Sequence, residues 1–143
     1  MKAKKHIGII MAVLAVSFTS FAQSTLEVTV QNIKEAKGTI RVGLFKTEDT
    51  FLKKAAEGKI VKASGSEVTV RFENLKSGDY AVSVIHDENE NGELDKNVMG
   101  IPKEGFAFGN NAMGMFGPPS FEEAKVIVKD NAQAKQLIKL KYF

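Results

Sequence analysis

Phe72-Glu73-Asn74-Leu75-Lys76-Ser77-Gly78-Asp79-Tyr80-Ala81-Val82 is the stretch on which the fold turns. Apolar side chains alternate with polar ones through Val68, Val70 and Phe72, and alternation resumes at Tyr80, Val82 and Val84. A two-residue apolar period marks a strand with one buried face, and Gly78 in the link admits the positive φ of a tight turn. Leu75 is placed to plug the end of a core between two sheets, and Tyr80 to begin the next strand with a large buried ring. The same period recurs at Leu26, Val28 and Val30, and at Ile40, Val42 and Leu44 after a Lys37-Gly38 turn. It returns over residues 59–63, at Ala124, Val126 and Val128, and at Ile138, Leu140 and Tyr142. The first two segments are predicted to form an opening hairpin. A short helical turn is predicted over residues 50–57, capped by Asp49 and ended by Gly58. About seven short strands with no crossover helices between them predict an all-β chain, a single antiparallel β-sandwich.

The terminal Phe143 suggests a rival, a small outer-membrane barrel. Barrel strands need about 9 to 11 residues and aromatic girdles. The strands here are shorter, there is no Trp, and the solvent faces are charged, all of which weighs against it.

Residues 1–22 read as a removable leader. Lys2, Lys4 and Lys5 precede an apolar run from Ile7 to Val16, and Ser20-Phe21-Ala22 puts small residues at the first and third positions before Gln23. The apolar run is shorter than the roughly 20 residues a membrane span requires. The sequence thus divides into a signal peptide, 1–22, and one domain, 23–143, with a periplasmic or extracellular destination and no membrane span after processing. The charge supports this division. The chain holds 20 Lys and Arg against 17 Asp and Glu, and three of the lysines but none of the acids lie in 1–22. The remainder is balanced and gives no electrostatic footprint for nucleic acid. With no Cys, disulfides, thiolate metal sites and thiol catalysis are all excluded.

The Phe72 to Val82 unit resembles the strand, turn, Gly, Tyr, strand unit of transthyretin-like and carboxypeptidase-regulatory-like sandwiches, and immunoglobulin-like topology is the neighbouring expectation. Directly after it comes His86-Asp87-Glu88-Asn89-Glu90-Asn91-Gly92-Glu93-Leu94-Asp95. Counting from Asp87, side-chain oxygens fall at positions one, three, five and nine, namely Asp87, Asn89, Asn91 and Asp95. Gly92 stands at six, and Glu93 at seven offers its carbonyl. Hard cations take six to eight oxygens, and alternate residues of a tight loop can turn them inward. Position twelve is Val98 rather than the bidentate Glu of an EF-hand, and a strand leads in. The loop is therefore a candidate for weak, structural Ca2+ binding, with a solvated acidic Asn-Gly turn as the plain alternative.

From His86 onward the chain resembles the bacterial domain-of-unknown-function 2141 family. The motif His-Asp-x-Asn-x-Asn-Gly-x-x-Asp occurs at 86–95, Gly-Ile-Pro-x-Glu-Gly at 100–105, a Phe-Gly-Asn-Asn stretch at 108–111 and Gly-Pro-Pro-x-Phe at 117–121. The resemblance implies a secreted sandwich with no established activity. The run over 99–121 is too long and apolar for a passive link. Its Phe106, Phe108, Met113, Met115, Phe116 and Phe121 are expected to cap the core from one end, the alternative being a groove for a partner. Glu104, the only acid in the run, either swings back to complete the cation shell or, as is more usual for a lone Glu, pairs with the neighbours of Lys103 in solvent.

Catalytic candidates are few. His86, the one His outside the leader, sits at a strand end and is expected to hydrogen-bond a loop carbonyl. The expected function is a non-enzymatic binding or accessory domain of the cell envelope, its partner an envelope protein or glycan. The competing readings are a small hydrolase or carbohydrate-active enzyme using His86 and the loop acids, and an envelope protein with no ligand.

Overall fold

In a computed structural model, residues 23–143 are described, and the predicted leader lies outside them. The alternating segments become β1 (Ser24–Gln31), β2 (Thr39–Phe45), β4 (Glu67–Leu75) and β5 (Gly78–Asp87), each burying every second side chain along much of its length. Around them stand β3 (Glu57–Lys62), β6 (Gly105–Phe108), β7 (Lys125–Val128) and β8 (Gln133–Lys139). One helical turn, α1 (Phe121–Ala124), is closed by a capping box in which Ser120 and Glu123 bond each other's backbone N–H.

The eight strands form two sheets. The smaller has the order β4-β1-β8. The larger has the order β3-β2-β5-β6, and β7 also pairs with β5. β6 lies against Ser83 to His86 and β7 against Gly78 to Ala81, so the two follow one another along the same edge of β5. Leu26, Val28, Val30, Val70, Phe72 and Ile138 from the first sheet meet Ile40, Val42, Leu44, Val82, Val84 and Ala107 from the second in one core.

Three expectations are corrected. β1 and β2 do not form a hairpin. β1 pairs with β4 and β8, while β2 pairs with β3 and β5. Crossing between sheets lets the apolar faces of both strands bury against each other, and seven residues span the roughly 10 Å between packed sheets comfortably. Pairing is not wholly antiparallel, since β1 and β8 run parallel from Thr25 opposite Gln133 to Gln31 opposite Lys139. No crossover helix is needed because nearly the whole chain connects them. The helical turn is a 3-10 turn at Glu48–Thr50, capped by Thr47 rather than Asp49, and Gly58 lies within β3. A turn this short has no stability of its own, and pairing with β2 claims residues 57–62 for the sheet.

The Phe72 to Val82 unit closes as expected. Leu75 and Tyr80 are buried, Gly78 has φ of 146°, and the Tyr80 hydroxyl donates to the Lys76 carbonyl at 2.8 Å.

The 99–121 run does not cap the shared core from one end. Val82, Val84 and Ala107 face that core, so their neighbours Ser83, Ile85, Phe106 and Phe108 face the other side of the larger sheet. There Phe106, Phe108 and Phe121 join Phe45 and Phe51 in a second cluster, with edge-on ring contacts at 5.4 to 6.4 Å. Met115 and Phe116 stay outside it, 89% and 98% exposed.

Candidate functional site

The acidic loop begins where β5 ends, on the outer side of the larger sheet. Asp87 is completely buried. Its Oδ1 accepts the Asn91 N–H at 3.1 Å and its Oδ2 the Gly92 N–H at 2.8 Å, while the Arg41 guanidinium stands 3.6 Å from Oδ2. A buried carboxylate is tolerable only with such partners. Gly92 bends the loop at φ 85°. The Asn89 and Asn91 carbonyls accept from the N–H groups of Asn91 and Glu93, which are Asx turns. Their amide groups converge on Asp95: Asn89 Nδ2 donates to one oxygen at 2.6 Å and Asn91 Nδ2 to the other at 2.9 Å. Asp87, Asn89, Asn91 and Asp95 thus organise a single loop, and Glu93 contributes backbone while its side chain is exposed. Among the described residues, no three His, Asp or Glu side chains are clustered as a metal-binding group.

Glu104 does swing back, and it is buried rather than paired in solvent. Oε1 accepts the Glu88 N–H and Oε2 the Asp95 N–H, both at 3.0 Å, so one carboxylate clasps the two ends of the loop. From the other side, Gly38 presses against the loop's first residues. A Cβ there would stand 2.1 Å from the Asp87 carbonyl oxygen, and its φ is 69°, so only Gly fits. The Thr39 hydroxyl, on the residue paired with Asp87 across the sheet, is buried and has no hydrogen-bond partner among the described residues.

His86 is fully buried and engaged through both nitrogens. Nε2 faces the Lys37 carbonyl at 2.7 Å and must therefore carry a proton, and Nδ1 lies 2.8 Å from the Tyr142 hydroxyl and 3.8 Å from a Glu88 carboxylate oxygen. Burial pushes the Tyr142 phenol above its ordinary value, partly offset by the Lys34 N–H that bonds it, and the charges of Glu88 and Glu35 raise it further. The hydroxyl stays protonated and able to donate. His86 thereby ties the Lys37-Gly38 turn to the C-terminal segment.

Some positions were not anticipated. Arg41 reads as one more outward polar residue of β2, and only the register shows it beside Asp87. Asn110 and Asn111 carried no chemical signal beyond the motif. Asn111 bonds the Leu137 carbonyl and the Lys139 N–H, satisfying backbone on the free side of β8, while Asn110 bonds the carbonyls of Glu123 and Lys125. Together they stitch the two sheets. Beside the loop runs a groove of about 1020 Å³, walled by Leu94, Met99, Ile101, Met113 and Phe116.

The fold and loop define a β-rich domain of two sheets sharing one core. The chain belongs to the family described as "Uncharacterized protein conserved in bacteria (DUF2141)", whose model matches residues 28–136. No curated protein and no solved structure matches the chain significantly.

Proposed function

We propose that the chain is an exported, non-enzymatic β-sandwich module, transthyretin-like or immunoglobulin-like. In this reading it serves as a binding or accessory domain in the cell envelope, with a structural Ca2+ in the 87–95 loop. The Tyr80 to Lys76 bond supports the sandwich reading, since a Tyr near a strand start bonding backbone a few residues upstream is a corner device of such folds. A catalytic His86 is disfavoured because both ring nitrogens are committed to other partners.

The observation that carries the cation reading is the convergence of Asn89 and Asn91 on the Asp95 carboxylate beside buried Asp87. A hard cation would be held by the oxygens of Asp87, Asn89, Asn91 and Asp95 and by the Glu93 carbonyl, once the two amides turn their oxygens rather than their N–H groups inward. The unpartnered Thr39 hydroxyl across from Asp87 is consistent with a further polar occupant. Without a cation, the two amide N–H groups occupy both Asp95 oxygens, so Ca2+ must displace these bonds and its affinity is set low. For a dissociation constant on the order of 1 mM, 10 mM Ca2+ adds about 1.4 kcal/mol by mass action. Melting curves in Ca2+ and in chelator test this. The wild type should melt a few degrees higher in Ca2+, and Asp95→Asn should lose that gain. Superimposable wild-type curves would refute the cation.

A further inference from the structure

We propose that the groove on the outer side of the larger sheet binds a long-chain fatty acid, the acyl chain lying along the apolar walls and the carboxylate meeting lysines at the rim. This rests on reading the chain as a binding module but is independent of the cation. Isolated exposed apolar residues are ordinary, whereas here they gather on one feature. Met99, Met115, Phe116 and Phe143 are largely exposed, and all line the same groove. Gly114 holds the Met113 to Gly117 turn in shape, because a Cβ there would stand 2.5 Å from the carbonyl oxygens of Gly117 and Pro118. The unbranched Met side chains make walls that adapt to a flexible chain.

The chemistry of the lining selects the occupant. A glycan needs convergent hydrogen-bonding side chains, and besides the charged Lys53, Glu93 and Lys96 the lining offers only the Ser83 hydroxyl. A peptide adding as a strand needs a free sheet edge. The outer side of β6 is already taken by the two bonds between Phe106 and Lys141. An acyl chain has no backbone to satisfy. Lys53 and Lys96 also line the groove, neither within 4.0 Å of a carboxylate among the described residues, against one lining acid, Glu93. That balance favours an anionic head. The volume, about 1020 Å³, lies at the upper end of ordinary ligand sites.

The test is titration of the intact protein with cis-parinaric acid, a fluorescent fatty acid, followed by displacement with oleate, in Ca2+ and in chelator. Saturable one-to-one binding is expected in both media, so a failed calcium melt and a failed titration report on separate claims. Phe116→Ala should weaken binding about tenfold with an unchanged melting temperature. Lys53→Gln combined with Lys96→Gln should weaken oleate but leave oleyl alcohol unaffected. The proposal is overturned by the absence of saturable binding to folded protein, by a Phe116→Ala variant that binds as wild type does, by binding to anionic vesicles alone, or by a wild-type dimer that Phe116→Ala dissociates.

Discussion

Replacing Glu104 tests whether the 88–95 loop is held by one carboxylate. In Glu104→Ala, the N–H groups of Glu88 and Asp95 each lose a charged acceptor at 3.0 Å. Hydrogen bonds to charged groups contribute about 1.5 to 3 kcal/mol each, which bounds the loss near 6 kcal/mol. Glu88 and Asp95 are only half-buried, so water can reach the abandoned donors and recover part of it. A loss of about 3 kcal/mol is expected, or roughly 10 °C in melting temperature for a domain of this size. Glu104→Gln keeps the shape and one acceptor but turns an NH2 toward the other N–H, so it should lose about half as much. Urea midpoints give the order wild type, Gln, Ala, and amide exchange reads the Glu88 and Asp95 protons directly. A Glu104→Ala variant within about 0.5 kcal/mol of wild type, or fast exchange of both amides in the wild type, would refute the clasp.

Phe108→Ala should cost about 3 to 5 kcal/mol in urea unfolding, because its ring is packed among Phe51 and Phe106, whereas Phe116→Ala should stay within about 0.5 kcal/mol. Hydrogen bonding by Arg71 holds the Glu27 carboxyl below its usual range, and Ser120, through its N–H and hydroxyl, does the same for Glu123. Stability from both is present above the unfolded carboxylate value and is lost as pH falls through their lowered folded values. Glu27→Gln with Glu123→Gln should therefore flatten the acid limb of the urea midpoint as pH falls below the ordinary Glu range, and an unchanged limb would contradict this. Exported protein should begin at Gln23, and an intact mass that retains residues 1–22 would exclude leader removal.

The faces of β1, β2, β4 and β5 were legible because alternation reports directly which side is buried. Alternation does not name a strand's neighbour, so the separation of β1 from β2 and the parallel partnership of β1 with β8 stayed hidden. β6 was missed for a related reason. All four of its residues are buried, one face toward each cluster, which leaves no period to read. Within the loop, the oxygen spacing from Asp87 to Asp95 was visible because those residues act over short sequence distances. Glu104 lies 9 to 16 residues from the groups it bonds, and Arg41 comes from a different strand. Such contacts are written in the fold's register rather than in local spacing. Met115 and Phe116 misled for the opposite reason, since their composition matches that of a core residue although their position is outside.

Placing β1 between β4 and β8 also has a kinetic meaning. The first strand cannot complete its sheet until residues 133–139, near the far end of the chain, are available. Contacts this distant in sequence require closing a very long loop before any pairing energy is returned, which slows folding relative to a chain of local hairpins. During synthesis, the β2–β3 hairpin has both partners early, while β1 keeps one open edge until residues 133–139 emerge. The small sheet thus stays incomplete until residues 133–139 have been made, and any truncation that removes β8 leaves β1 as an edge open to another chain.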